Sequence, residues 1–295
     1  MNNVIEKELN KGLNNPINNN TNTAVTPQCE EDYEVIDGIK HCPICHEPIE
    51  KVYDVGCLGR RLISVGCKCR QEEQAREKEL EELERHRKIV EDNTRNCFSQ
   101  YSMREWNFSN DTEHNEAMNL FKDYVSKWEY NNYNNIGLLI SGDLGVGKSY
   151  TAACIANALL EKELKVKMTN FGTIFDDLYK EDDKTEYIRA LCRCDLLIID
   201  DLSTERDTPF ALECAFKVVD ERYRQGKPLI ITTNLSVEEM KTAKRIDYQR
   251  IYDRILYMCT PVKMTGDNLR IKKRKIKYRD AAKLLKGDDE NGEKI

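Results

Sequence analysis

The sequence predicts an α/β fold: a five-stranded parallel sheet covered by helices on both faces, preceded by a small cysteine-bearing domain and a helical linker. Three observations predict it. Short, nearly continuous apolar runs recur from about Trp106, at 136–141 (IGLLIS), 166–171 (VKMTNF), 195–200 (DLLIID) and 228–234 (PLIITTN). Segments of helical composition separate them, among them SYTAACIANALLEKE and PFALECAFKVVDERYRQ. Strands that are apolar throughout, not in alternation, are buried on both faces, as in a parallel sheet with helical crossovers. PVKMTG at 261–266 supplies the fifth strand. Third, Cys42, Cys45, Cys57, Cys67 and Cys69 crowd into one short segment ahead of these runs.

The bulk numbers set bounds on this picture. A chain of 295 residues holds about one or two domains. Its net charge of −6 excludes polyanion binding by bulk charge, so any nucleic-acid contact must be a local basic patch. No apolar run approaches the ~20 residues of a membrane span, and MNNVIEKELNKGLNNPINNN lacks the apolar core of a signal peptide. A cytoplasmic protein with no membrane partner is therefore expected. Its 12 cysteines then need an explanation other than disulfides, because the cytosol keeps thiols reduced.

In chain order, residues 1–28 are Asn-rich and poor in large apolar groups, a composition expected to stay disordered. Residues 29–70 form a segment too short for a good apolar core, so a metal is expected to hold it together. Cys42-x2-Cys45 followed by Cys67-x-Cys69 reads as a tetrahedral zinc site, with Cys57 the alternate for one of the last two. His41 and His46 are adjacent and expected to be exposed. Residues 71–105 form the linker. The run from Arg70, the last residue of the cysteine segment, to Arg95 is rich in helix formers and i,i+4 charge pairs, with only a thin apolar stripe at Leu80, Leu83 and Val90. A solvated helical spacer is expected there. Residues 106–286 form the α/β domain, and 287–295 a tail.

Within that domain, GDLGVGKS (142–149) matches G-x-x-x-x-G-K-[ST] between an apolar strand and an Ala-rich helix. Gly142, Gly145 and Gly147 let backbone N–H groups turn toward phosphates. Lys148 is placed for the β and γ phosphates and Ser149 for Mg2+, and Tyr150 beside them is a further candidate to bind the nucleotide. LLIIDD ends a buried strand in carboxylates at the sheet edge where ligands bind. Asp200 is the candidate Mg2+ ligand and Asp201 the candidate to polarise water, although a strand-ending Asp also caps turns. Asn234 ends another buried strand and is a candidate to position that water; an Asn also simply suits a strand-ending turn. Arg250 and Arg254 share a helical face, and Arg270 opens RIKKRKIKYR (270–279), with seven basic residues. That stretch suits a phosphate backbone, with Tyr278 to stack a base, or is a solvated helix.

Taken together, NIGLLISGDLGVGKSYTAACIANAL, CDLLIIDDLSTER, GKPLIITTNLSVEEM and RIYDRI resemble the AAA+ ATPases, and more narrowly the DnaC-type replicative helicase loaders. The resemblance implies Mg-ATP binding by Lys148, Ser149 and Asp200, with Asn234 as sensor 1. It implies that Arg254 is an arginine finger and that Arg270 senses nucleotide in cis. It also implies homo-oligomers joined through the ATPase domains, single-stranded DNA as ligand, and a zinc-bearing domain that docks on a DnaB-type helicase. ATP binding would favour assembly and hydrolysis to ADP would favour release. The family often carries Glu where Asp201 stands. The shorter side chain predicts slow, partner-stimulated hydrolysis, with Glu205 as a second candidate for the water. Two other readings stay open: an IstB-like transposition helper ATPase, and an adaptor that binds ATP without hydrolysing it.

Overall fold

The computed structural model describes residues 33–56, 59–110, 117–202 and 208–286. The tails at 1–28 and 287–295, Cys57 and Glu205 lie outside them. The chain divides into two compact units between Glu82 and Leu83.

The first unit holds two antiparallel hairpins. β1 (Glu34–Ile36) pairs with β2 (Ile39–His41), and β3 (Glu50–Asp54) pairs with β4 (Arg60–Ser64). Asp37 and Gly38 both take positive φ, at 52° and 77°, the two-residue turn whose twist suits a hairpin. Among the described residues of this unit only Cys42 and Cys67 are buried, while Val35, Val52, Leu62 and Ile63 stay exposed. The unit therefore has a sulfur centre and no apolar core. The long helix α1 (Lys68–Cys97) starts at the second cysteine pair.

The last turns of α1 belong to the second unit. Asn93 Nδ2 donates to the carbonyls of Glu163 and Leu164 at 3.2 and 3.3 Å, and His86 Nδ1 lies 2.9 Å from Glu163 Oε1. Cys97 is fully buried, and Phe98 forms a parallel bridge with Met168. The sequence leads to a free spacer here because the docking groups are mostly polar, while Leu80 and Leu83 of the apolar stripe remain exposed.

Two short 3-10 turns, Tyr101–Glu105 and Phe108–Asn110, lead to α2 (Ala117–Ser126) and α3 (Trp128–Tyr133). Alternation then begins: β5 (Gly137–Gly142), α4 (Lys148–Leu160), β6 (Val166–Thr169), α5 (Phe171–Lys180), α6 (Lys184–Cys192) and β7 (Leu196–Leu202). It continues with α7 (Pro209–Gln225), β8 (Leu229–Thr233), α8 (Val237–Lys241), α9 (Ile246–Met258), β9 (Cys259–Met264) and α10 (Leu269–Lys286). The five strands run parallel in the order β6-β7-β8-β5-β9. One apolar cluster, with Phe171, Leu178 and Val218, covers one face; another, with Phe121, Ile155 and Leu159, covers the other. That arrangement is a P-loop AAA+ fold. Because β5 is flanked by two strands that follow it in sequence, the chain reverses its winding there, and a crevice opens at the strands' C-terminal ends.

One buried cation fixes the far end of the sheet. Arg222 is fully buried in α7 and donates to the carbonyls of Cys192 and Cys194 at 2.8 Å, Asp195 at 3.2 Å, and Pro228. Its guanidinium thereby satisfies backbone acceptors at the end of α6 and the entries to β7 and β8. Among the described residues, no helix is long and apolar enough to cross a membrane.

Candidate functional site

The loop between β5 and α4 is shaped by three glycines. Gly142, Gly145 and Gly147 have φ of 155°, 84° and 101°. Gly145 has a second constraint, since a Cβ there would run into the side chain of Asn268. Its carbonyl accepts from Leu269 N–H at 3.0 Å, so the start of α10 is seated directly on the loop. The turn delivers the N-terminus of α4 to the crevice, where an anion is favoured.

Lys148 is held between strand ends. Its Nζ donates to the carbonyls of Gly142 and Asp143 at 2.8 Å and to Asn234 Oδ1 at 2.7 Å. Burial pushes its pKa below the ordinary lysine value, Asp201 opposes that shift, and the charge of Arg270 adds to it. Arg270 is thus close enough to act on the same cleft from α10.

The acidic pair is set by the neighbouring strand. Thr232 Oγ1 donates to Asp200 Oδ1 at 2.6 Å and accepts from Asp201 N–H at 2.8 Å. Asp201 sits at φ 59°, and the β7–β8 register shifts between Ile199 and Leu202. This irregularity directs two consecutive carboxylates to one crevice, where a regular strand would send them to opposite faces. Asn234 Nδ2 reaches Asp201 Oδ1 at 3.5 Å while its Oδ1 takes Lys148. Lys148, Asn234 and Asp201 therefore form one polar chain.

These groups line a cavity of about 550 Å3 together with Ser149, Tyr150, Asp200 and Arg270. Ser149 and Asp200 face the same space with oxygen donors, the ligand type Mg2+ prefers, and they would hold that ion against bound phosphates, where it neutralises charge. The opposite wall was not legible in the sequence. It is Glu105, Trp106 and Asn110. Trp106 packs on Tyr150 with ring centroids 5.5 Å apart, Tyr150 Oη donates to Asn107 O at 2.9 Å, and Asn157 Nδ2 donates to the carbonyls of Met103 and Trp106. The rings are tilted by 43°, and an aromatic face beside a phosphate loop suits a nucleobase. Thr232 was likewise missed, since a Thr in an apolar strand reads as β-branched filler.

Arg250 and Arg254 do not line this cavity. They open onto a separate cleft with Phe216, Tyr223, Asp253 and Tyr257.

In the first unit, the sulfur atoms of Cys42, Cys45, Cys67 and Cys69 all lie within 4.8 Å of one another. A tetrahedral zinc with bonds of about 2.3 Å would place them about 3.8 Å apart, so the set fits that ion. Cys42–Cys69 and Cys67–Cys69 are closer still, at 3.4 and 3.0 Å. Backbone N–H groups of Cys45 and then Ile44 pull the Cys42 thiol down to about 6, while the neighbouring Cys67 and Cys42 sulfurs push Cys69 up. His41 Nδ1 is 3.0 Å from Ile39 O, and His46 pairs with Glu34 at 3.5 Å, so neither ring is turned to the sulfurs through those atoms.

Residues 70–277 match the family model of the IstB-like ATP binding proteins. The chain belongs to this family. Among its curated relatives, the replicative helicase loader DnaI of Bacillus subtilis is 28% identical over 147 residues, 45% of this chain and 47% of that one. The replicative helicase loader DnaC of Escherichia coli is 25% identical over 144 residues, 47% of this chain and 56% of that one. A crystal structure of DnaI, 22% identical, covers 58% of this chain and 94% of that chain with a TM-score of 0.49. The chain spans about half the length of the curated relatives it matches.

For an IstB-like ATP-binding protein the lowered pKa of Lys148 has a measurable result. Only the ammonium form attracts phosphate. Affinity for ATP is therefore full below the lowered pKa and lost as pH rises through it, at a pH beneath the ordinary lysine value of about 10.4. Nucleotide titrations carried from about pH 7 to about pH 11, past the ordinary lysine value, should show that alkaline loss; a flat profile over that range would argue against Lys148 as the phosphate contact.

Proposed function

We propose that this protein is an ATP-controlled loader that places a DnaB-type replicative helicase on single-stranded DNA. The observation that carries the proposal is one chain holding two separate parts, a nucleotide crevice and a four-cysteine unit with uncovered apolar hairpin faces. The relatives named as helicase loaders support it. Zinc held by Cys42, Cys45, Cys67 and Cys69 fixes the docking unit, and the helicase covers its apolar faces. ATP binds across a boundary between copies of this chain. Lys148 and the loop N–H groups hold its phosphates, and Arg270 reads its presence in cis. Thr232 keeps the Asp200 carboxylate turned to the Mg2+ position. Asp201 and Asn234 orient the attacking water, and Arg254 of the adjoining copy neutralises charge on the γ phosphate. Asp201 is short and already engaged by Asn234, which supports slow hydrolysis that a partner accelerates. The basic face of α10 contacts the DNA backbone.

The test is a loading assay with purified helicase and circular single-stranded DNA. The full chain with ATP should raise the DNA-bound helicase several-fold, and the Cys42→Ala chain should bind ATP but load none. The match to IstB-like ATP binding proteins keeps one other reading in play, a transposition helper ATPase that remodels or selects target DNA. No helicase capture together with ATP hydrolysis stimulated by duplex DNA would select it. Absence of hydrolysis with every partner would select the adaptor.

A further inference from the structure

The second cleft contains a feature that the general role of Arg254 does not explain. Arg250 and Arg254 stand one turn apart on α9, against aromatic rings of α7. Arg250 lies over Phe216 at 4.2 Å; Arg254 lies 5.3 Å from Phe216 and 4.8 Å from Tyr223. Tyr223 meets Tyr257 edge-on at 5.5 Å and closes one side of an open cleft of about 330 Å3. Beneath the arginines sits Asp220, a carboxylate only 7% exposed. Its Oδ2 pairs with Arg224 Nε at 2.8 Å, and its Oδ1 meets Arg254 Nη2 at 2.7 Å, off the axis of an aligned hydrogen bond.

A buried carboxylate is costly unless it is paired, so its position on α7 asks for a reason. Arg224 is a poor one, being largely exposed and reaching back from the next turn. Arg254 is ion-paired through one nitrogen, has two rings within cation–π distance and is still 30% exposed. A guanidinium has five N–H donors. A charge contact at one nitrogen and rings at 4.8 and 5.3 Å restrict the directions open to the guanidinium and leave its other donors for an oxyanion.

We propose that Asp220 is the positioning residue that aims Arg254 out of this cleft at the γ phosphate of ATP held by a second copy of the chain. This rests on the reading that Arg254 acts between subunits. Asp220 touches neither nucleotide nor water. It limits the rotamers of the arginine, and small misplacements of a charge-stabilising group lower the rate without changing how tightly substrate binds.

A mixing experiment separates the two levels. The Lys148→Ala chain keeps its finger but not its site, and the Arg254→Ala chain keeps its site but not its finger. Each should be inactive alone, and together they should hydrolyse ATP; no recovery would overturn the intersubunit reading and the positioning role with it. Asp220→Asn is then added to one partner at a time. On the Lys148→Ala partner, which donates the finger, it should lower kcat roughly tenfold with KM for ATP unchanged. On the Arg254→Ala partner, whose own finger is gone, it should change nothing. Equal losses on both partners, or no loss on the donor, would overturn the positioning role while leaving the intersubunit reading intact. Asp220→Glu is run in the same two arms, because it keeps the buried charge and shifts it by one methylene. A loss confined to the donor is again the expected result.

Discussion

Lys148→Ala should weaken ATP binding by about 100-fold or more, remove hydrolysis and leave the fold intact. Hydrogen bonds to a charged group contribute about 1.5–3 kcal/mol each, and each 1.4 kcal/mol is about tenfold in affinity. The ammonium gives its three N–H donors to oxygens of Gly142, Asp143 and Asn234, so a phosphate oxygen must take the place of one of them, and the gain is that of exchanging a neutral acceptor for an anionic one. The fold survives because those acceptors lie at the rim of the crevice, where water replaces Nζ. Lys148→Arg is expected to behave almost as badly. A planar guanidinium cannot donate into the narrow space between two adjacent carbonyls as a compact ammonium does. Titration with a fluorescent ATP analogue, alongside a melting curve, measures both effects. Unchanged affinity in a folded Lys148→Ala chain would remove the loop from the mechanism.

Part of this site is written locally and part is not. The glycine loop was legible because glycines, Lys148 and Ser149 are neighbours in sequence and their spacing is the mechanism. Asp200 and Asn234 were legible because each ends an apolar run, and strand ends meet at one edge of a parallel sheet. Arg270 reaches the crevice because Asn268 and Leu269 seat the start of α10 on Gly145. Thr232 is different. Its hydroxyl matters only because a register shift between β7 and β8 brings both Asp200 and the Asp201 amide to it, and no pattern in either strand announces that shift. The Trp106 wall depends on Tyr150 meeting a carbonyl 43 positions away. Asp220 reads as an ordinary helical carboxylate until α9 packs on α7. The docking of α1 stayed hidden for a related reason: amphipathic pattern detects apolar contacts, while His86 and Asn93 dock through hydrogen bonds.

The other large effect concerns the metal. If zinc fills the four-cysteine site, as proposed, stripping it with a strong chelator should melt both hairpins of the first unit and leave ATP binding unchanged. Val35, Val52 and Leu62 are all more than half exposed, and only two cysteines in the described part of that unit are buried. Apolar burial therefore contributes little, and two short hairpins are marginal in water on their own. A structural zinc supplies about 10–16 kcal/mol of apparent binding free energy, enough by itself to decide whether such a unit folds. Loss of dispersed amide signals from residues 33–64 on chelation, and their return with added zinc, would follow. The Cys42→Ala chain should resemble the stripped protein, because the sulfur it loses is one of the four that lie within 4.8 Å of one another. ATP affinity is the decisive control. The crevice draws its lining residues from the second unit, so ATP affinity is expected to persist without the metal. If affinity fell with the zinc, docking and switching would not be separable functions, and a loader with one part to hold the helicase and another to release it would be the wrong description of this chain.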